Sequence, residues 1–198
     1  MEFITNLDQS IAAWNQAIQL PGWLDQGIRT ATFFGNSSII AVLISIVGLY
    51  LQRSKGWKVA LVFVLGTSGA CLTCESIKFL VKRPRPEISQ MRTSIDKIPT
   101  SPSFPSGHSF SAAAIYPAIA FIIALPLKNL PLKILITALG IVLASLVGFS
   151  RIYLGFHFLS DVLVGLTGGF IFATVIAFLV KMPFILGQTS TPEHRNKI

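Results

Sequence analysis

Five stretches of the chain stay apolar for about the 20 residues that the hydrocarbon core of a bilayer requires of a helix. They run at about 30–51, 57–81, 109–127, 132–149 and 158–180, and each predicts a membrane-spanning helix. Pro126 and Pro131 bracket the turn between the third and fourth. Gly140, Gly148, Gly165, Gly168 and Gly169 leave small surfaces on the last two spans, which let helices approach closely in lipid. Residues 1–25 differ. Phe3, Ile4, Leu7, Ile11, Ala12, Trp14, Ile18 and Leu20 recur at roughly helical spacing, but Asp8, Gln9, Asn15 and Gln16 interrupt them. That segment is too polar to span. It reads as an amphipathic helix lying on the membrane, with Trp14 and Trp23 at headgroup level. It lacks the basic start and clean apolar core of a cleaved leader. The expected fold is an all-α integral membrane protein: about five transmembrane helices plus an N-terminal interfacial helix, in one domain over residues 1–198. A polar tail follows at 183–198.

Composition agrees. The chain is 52 % hydrophobic and 12 % charged, with a mean hydropathy of +0.68, against about 25 % charged residues in soluble domains. The net charge of +8 does not indicate nucleic acid, because the cations sit at span ends and in short loops. Cations placed there read as membrane flanks or anion ligands. Cys71 and Cys74 fall within the second span and read as small buried residues. The sequence shows no internal repeat.

Polar chemistry concentrates in three clusters at span ends: Lys78 with Arg85-Pro86, then Pro105-Ser106-Gly107-His108, then Ser150-Arg151 with His157 and Asp161. With five spans, the loop 82–107 and the turn 150–157 emerge on the same face, so all three clusters meet at one membrane surface. His157 and Asp161 stand at i and i+4, a spacing that shares a helix face. A carboxylate there fixes the imidazole tautomer and leaves the other ring nitrogen free to attack phosphorus. Alone, such a pair reads as a surface contact; an ionisable pair at the mouth of a span points to function. His108, at the start of a span, is placed to protonate a leaving oxygen. Ser106 and the N–H groups of Gly107 and His108 form a candidate anion cradle. Lys78, Arg85 and Arg151 are candidate phosphate ligands, Arg as a planar fork and Lys as a point charge. Lys78 has an alternative partner in Glu75, one turn earlier. Ser150 reads as an orienter of Arg151, a phosphate contact or a cap. Lys82 and Arg83 read as ordinary flank charges. Asp161 is the one acidic residue inside the clusters, and neither Glu87 nor Asp96 has a spacing that suggests a metal site. No metal or other cofactor is expected.

These clusters resemble those of the type 2 phosphatidic acid phosphatase (PAP2) superfamily, membrane lipid phosphatases related to vanadium haloperoxidases. All eleven positions of the usual pattern are present: Lys78, Arg85, Pro86, Pro105, Ser106, Gly107, His108, Ser150, Arg151, His157 and Asp161. The match covers about 57–180. The resemblance implies a helical bundle, often of six spans, and a metal-free reaction. In it His157 forms a phosphohistidine, Asp161 activates it, His108 protonates the leaving group, and Lys78, Arg85, Ser106, Gly107 and Arg151 bind phosphate. It implies a lipid phosphate substrate in the plasma membrane. Undecaprenyl diphosphate is the first expectation, with phosphatidylglycerophosphate and lipid A as alternatives. A lipid-to-lipid phosphotransferase and a non-enzymatic anion transporter are the competing classes; the transporter leaves His157–Asp161 unexplained. Eight cations lie on each face (Arg53, Lys55, Lys58, Lys128, Lys133, Lys181, Arg195 and Lys197 opposite the clusters; Arg29, Lys78, Lys82, Arg83, Arg85, Arg92, Lys97 and Arg151 beside them). Setting aside Lys78, Arg85 and Arg151 leaves eight against five, which predicts an extracytoplasmic site.

Overall fold

Seven helices, five of them long and apolar enough to cross a membrane, make up the computed structural model, which describes residues 2–92, 100–182 and 185. The helices are α1 (Glu2–Ala17), α2 (Gly22–Phe33), α3 (Ser37–Ser54), α4 (Trp57–Val81), α5 (Gly107–Ala124), α6 (Leu130–Tyr153) and α7 (Leu159–Val180). One 3-10 turn, Ile88–Gln90, interrupts the loop after α4. The spanning helices are α3 to α7. Of the polar tail only Ile185 is described, and the loop residue Asp96 lies outside the described residues.

Local chemistry sets the ends. Asn36 caps α3 by accepting from the Ser38 N–H at 2.9 Å, and Asn129 caps α6 by accepting from the Leu132 N–H at 3.0 Å. Side-chain oxygens at these positions satisfy donors that a helix start leaves open. α4 stops at Lys82, which turns left-handed at φ 51° ahead of Pro84, whose ring disfavours helix in the residue before it.

The first span differs from its expected limits. The helix expected over 30–51 is two helices, broken at Phe34-Gly35-Asn36, because Asn36 starts a new helix instead of continuing the old one. Residues 1–25 likewise hold all of α1 and the start of α2, separated at Leu20-Pro21; Pro21 cannot donate within a helix and stands instead at the N-cap of α2. With 16 residues in α1 and 12 in α2, neither reaches across a bilayer core.

α5 is the central helix, buried along most of its length and packed chiefly against α6 and α7. Its inner face is largely alanine (Ala112, Ala113, Ala114, Ala118), and α7 meets it with Gly165 and Gly169. A Cβ on Gly165 would come within 2.8 Å of the Ser106 carbonyl, and one on Gly169 would overlap the Phe110 carbonyl. Larger residues would push α7 away and carry Asp161 with it. Leucines and phenylalanines on the outer faces, such as Leu65, Leu72, Phe79, Leu139 and Phe178, are exposed, as expected where the surrounding solvent is lipid. Cys71 and Cys74 are free thiols on α4; Cys74 is buried and Cys71 half-buried.

α1 lies on the face where the clusters emerge, with its polar side turned inward. Asp8 and Asn15 are buried, while Phe3, Ile4 and Trp14 are exposed. Asn15 donates to the carbonyls of Ile152 and Tyr153 at 3.0 Å each.

Candidate active site

All three clusters gather at one end of the bundle. Lys78 stands in the last turn of α4, Arg85 in the following loop, Gly107 and His108 open α5, Arg151 stands in the last turn of α6, and His157 precedes α7, which carries Asp161 in its first turn. A cavity of about 650 Å³ joins them: Lys78, Arg85, Gly107, His108, Arg151 and His157 line its polar end. From there it runs between α3, α4 and α5 past Ile40, Ala41, Ile44, Cys71 and Leu72. One space thus holds cations and two histidines at the mouth and an apolar trough below.

His157 is oriented from both sides. Its Nδ1 lies 3.5 Å from Asp161 Oδ2 and its Nε2 lies 3.2 Å from Arg85 Nη1. A guanidinium only donates, so Nε2 carries the lone pair and Nδ1 the proton. That is the tautomer a nitrogen nucleophile needs. Burial is the main influence depressing His157 to about 4; the nearby Arg151 and Arg85 add to it, and the hydrogen bond to Asp161 opposes it. The ring is therefore neutral at pH 7. The chain reaches it through a left-handed turn at Gly155, φ +74°, where any Cβ would overlap the Gln90 carbonyl.

Asp161 is fully buried and does not line the cavity. Its Oδ1 accepts from Arg83 Nη1 at 2.6 Å. Its Oδ2 accepts from the Phe158 N–H at 3.0 Å and from the Ser103 hydroxyl in a short hydrogen bond. Two of these partners were not anticipated from the sequence. Arg83, expected as a flank charge, is a bridge: its other nitrogen, Nη2, donates to Asp8 at 2.7 Å. Ser103 lies between the first and second clusters and was not singled out. The Arg-Pro-Arg-Pro repetition at 83–86 was the available signal that Arg83 faces inward alongside Arg85.

The cations are held differently. Lys78 pairs with Glu75 at 3.2 Å, the alternative weighed from the sequence. Arg151 is buried, donates from Nη1 to Thr32 on α2 at 2.7 Å, and stacks on Phe156 at 4.3 Å. Its Nε is buried without a hydrogen-bond partner, an open donor on a residue that lines the cavity. Arg85 donates to the carbonyls of Ser101 at 2.8 Å and Phe156 at 2.9 Å. Ser106 sits elsewhere than the cradle reading expects. Its hydroxyl accepts from Ser109 Oγ at 2.8 Å and caps α5, fully buried and away from the cavity lining. Gly107 and His108 remain at the cavity, where their N–H groups belong to the first helical turn and have no intrahelical acceptor. Ser150 donates to the Val147 carbonyl at 2.6 Å, is buried and does not line the cavity.

The family model of the PAP2 superfamily matches residues 57–184, which include every cluster. The chain belongs to the PAP2 superfamily. Phosphatidylglycerophosphatase B of Bacillus subtilis is 34 % identical over 184 residues, covering 90 % of this chain and 83 % of that protein. Decaprenylphosphoryl-5-phosphoribose phosphatase of Mycobacterium tuberculosis is 30 % identical over 161 residues, 80 % of this chain and 81 % of that one. Among solved structures, the transmembrane PAP2-type phosphatidylglycerolphosphate phosphatase of Bacillus subtilis superposes with a TM-score of 0.76 at 32 % identity, over 89 % of this chain and 85 % of that one. LpxE of Aquifex aeolicus gives 0.62 at 25 % identity, over 88 % and 94 %. This PAP2 protein is thus a helical, multi-pass membrane phosphatase acting on lipid phosphates.

Proposed function

We propose that this PAP2 enzyme hydrolyses a lipid phosphate monoester through a phosphohistidine on His157, with phosphatidylglycerophosphate as the preferred substrate. The observation that carries the chemistry is the orientation of His157: its Nε2 lone pair faces Arg85 at the cavity mouth while Asp161 backs Nδ1. Nε2 attacks phosphorus, and the bond from phosphorus to the lipid oxygen breaks. His108 gives its proton to that oxygen. Lys78, Arg85, Arg151 and the N–H groups of Gly107 and His108 hold the equatorial oxygens. Asp161 balances the charge that forms on the imidazole. Water then attacks phosphorus, His108 takes its proton, the P–N bond breaks and His157 is restored. Ser106 supports this arrangement by capping α5.

The Bacillus subtilis sequence match and the Bacillus subtilis structure both carry a name for phosphatidylglycerophosphate hydrolysis, which favours this lipid over undecaprenyl diphosphate, the first expectation from sequence. Glu75 agrees: its carboxylate lines the cavity beside Lys78, where it disfavours a second adjoining phosphate and accepts from a headgroup hydroxyl. The mycobacterial relative keeps polyprenyl phosphates as the second reading.

The test is phosphate release by purified enzyme in detergent from phosphatidylglycerophosphate, undecaprenyl diphosphate and phosphatidic acid. The first should show the highest kcat/KM. Release from undecaprenyl diphosphate alone overturns the substrate assignment, and full activity in His157→Ala overturns the mechanism.

A further inference from the structure

We propose that α1 takes part in catalysis through a relay in which Asp8 positions Arg83 and Arg83 positions Asp161, an inference that rests on the role of His157 and Asp161 given above. A helix that merely lies on a membrane turns its carboxylates to water. α1 does the opposite, and Asp8 is only 2 % exposed. Burying a carboxylate is costly unless it is paired and hydrogen-bonded. Asp8 has three donors: the Ser160 N–H at 2.9 Å, the Ser160 hydroxyl at 2.6 Å and Arg83 Nη2 at 2.7 Å. Two of them belong to the residue next to Asp161. The third comes from the guanidinium whose other nitrogen, Nη1, holds Asp161 at 2.6 Å and Ser160 Oγ at 2.7 Å. Arg83 also stacks on Phe158 at 4.3 Å, the residue following His157.

One guanidinium thus stands between two buried carboxylates, and neither it nor Asp8 lines the substrate cavity. They are positioning residues. Two effects follow. The fork fixes Asp161 so that Oδ2 is left for His157. Asp8 also offsets the charge of Arg83, so that Asp161 keeps its negative charge available to the imidazole as positive charge develops there. Without Asp8, Arg83 would draw on Asp161 alone.

The experiment is a double-mutant cycle in full-length enzyme, with kcat and KM measured separately for a lipid phosphate in detergent. Asp8→Asn should lower kcat about tenfold or more, the scale seen when a hydrogen-bond partner behind a metal-ligating side chain is removed, with KM changed by less than about twofold. Asp8→Glu, which keeps the charge, should recover most of the rate. In an Arg83→Gln background, Asp8→Asn should cost much less than it does alone, because only its contacts to Ser160 remain to be lost. If Asp8→Asn does not accumulate as folded protein, Arg83→Lys supplies the reading: one ammonium cannot serve both carboxylates, so kcat should fall at constant KM. Wild-type kcat in Asp8→Asn or Arg83→Lys overturns the relay, as do multiplicative losses in the double mutant. His157→Ala is assayed in parallel. Its inactivity alongside an unaffected Asp8→Asn overturns the relay alone, whereas its activity overturns the reading of the site.

Discussion

Replacing Asp161 by asparagine removes one charge and almost no volume, so the consequences come from hydrogen bonding and electrostatics. The wild-type carboxylate accepts from Arg83 and at 3.0 Å from Phe158 N–H, takes the short bond from Ser103, and lies 3.5 Å from His157 Nδ1. An amide has one accepting oxygen and one donating nitrogen. With its nitrogen toward Arg83, two donor groups face each other. With its nitrogen on the other side, it faces Ser103, Phe158 and His157 instead. Either way buried donors lose their acceptor, at about 1–3 kcal/mol each and more for the charged one. The positive charge formed on His157 also loses its counter-charge. A buried carboxylate behind a catalytic histidine is worth about 10⁴-fold in kcat in the serine proteases, and one preorganised donor elsewhere about 10²–10³-fold. The expected loss here is therefore about 10²- to 10⁴-fold, or roughly 3–5 kcal/mol of barrier. KM should hardly move, since Asp161 does not line the cavity. Phosphate release and a melting curve in the same detergent measure both effects. A kcat within about threefold of wild type, in protein that melts normally, would refute the reasoning.

Gly107→Ala places a Cβ 3.1 Å from Lys78 Nζ; displacing the ammonium should raise KM about threefold to tenfold with a smaller change in kcat, read by steady-state kinetics. Activity should survive excess EDTA, because Lys78, Arg85 and Arg151 line the cavity and in the proposed mechanism meet the phosphate charge; loss on chelation with recovery on Mg²⁺ counts against this. Orthovanadate should compete with substrate by binding at His157. His157 falls from about 6.5 when unfolded to about 4 when folded, so between these values the unfolded chain binds more protons. Its contribution to stability is whole above pH 6.5 and declines towards pH 4, by roughly 3 kcal/mol at most; melting temperatures should drop over this window in wild type and drop less in His157→Gln. The site should face the extracytoplasmic side, since eight cations on the opposite face stand against five on its own once Lys78, Arg85 and Arg151 are set aside. In a background lacking Cys71 and Cys74, Ser89→Cys should react with an impermeant thiol reagent in intact cells and Ser54→Cys only after permeabilisation; the reverse pattern inverts the topology.

The spans were legible because lipid imposes a coarse rule: a long apolar run must be a helix, and its length follows from the bilayer. The second span matches its expected limits of 57–81 at both ends. The first does not, because the apolar residues Ala31, Phe33 and Phe34 continue the run past a break that hydropathy does not register. Gly35 and the Asn36 cap end one helix and begin another, and this lets α2 turn aside and bring Thr32 to Arg151. The N-terminal segment shows the same limit in another form. Amphipathic spacing predicted a helix with two faces and placed the polar face in water, as membrane-surface helices have it. Asp8 and Asn15 point inward instead, because the ends of α6 and α7 offer them buried donors and carbonyls.

The site divides along a similar line. Residues that line the cavity belong to fixed spacings in the chain: Lys78 to Arg85, Gly107 with His108, Arg151 to His157. A spacing encodes which side chains share a helix end, and the sequence carries that directly. The supports behind them are contacts between distant segments: Asp8 with Ser160, Arg83 with Asp161, Ser103 with Asp161, Thr32 with Arg151. Charge does not distinguish Arg83 from Lys82, its neighbour in a basic run; only the Arg-Pro repetition sets Arg83 beside Arg85. The difference is that Lys82 lies over the exposed ring of Phe79, whereas Arg83 sits between two buried carboxylates. A planar fork serves two acceptors on opposite sides and an ammonium does not. Arg83 therefore should tolerate lysine poorly and Lys82 should tolerate arginine without effect; a pair of such swaps, Arg83→Lys and Lys82→Arg, separates a bridging cation from a flanking one by kcat alone. Equal tolerance at both positions would return Arg83 to the role of a surface charge.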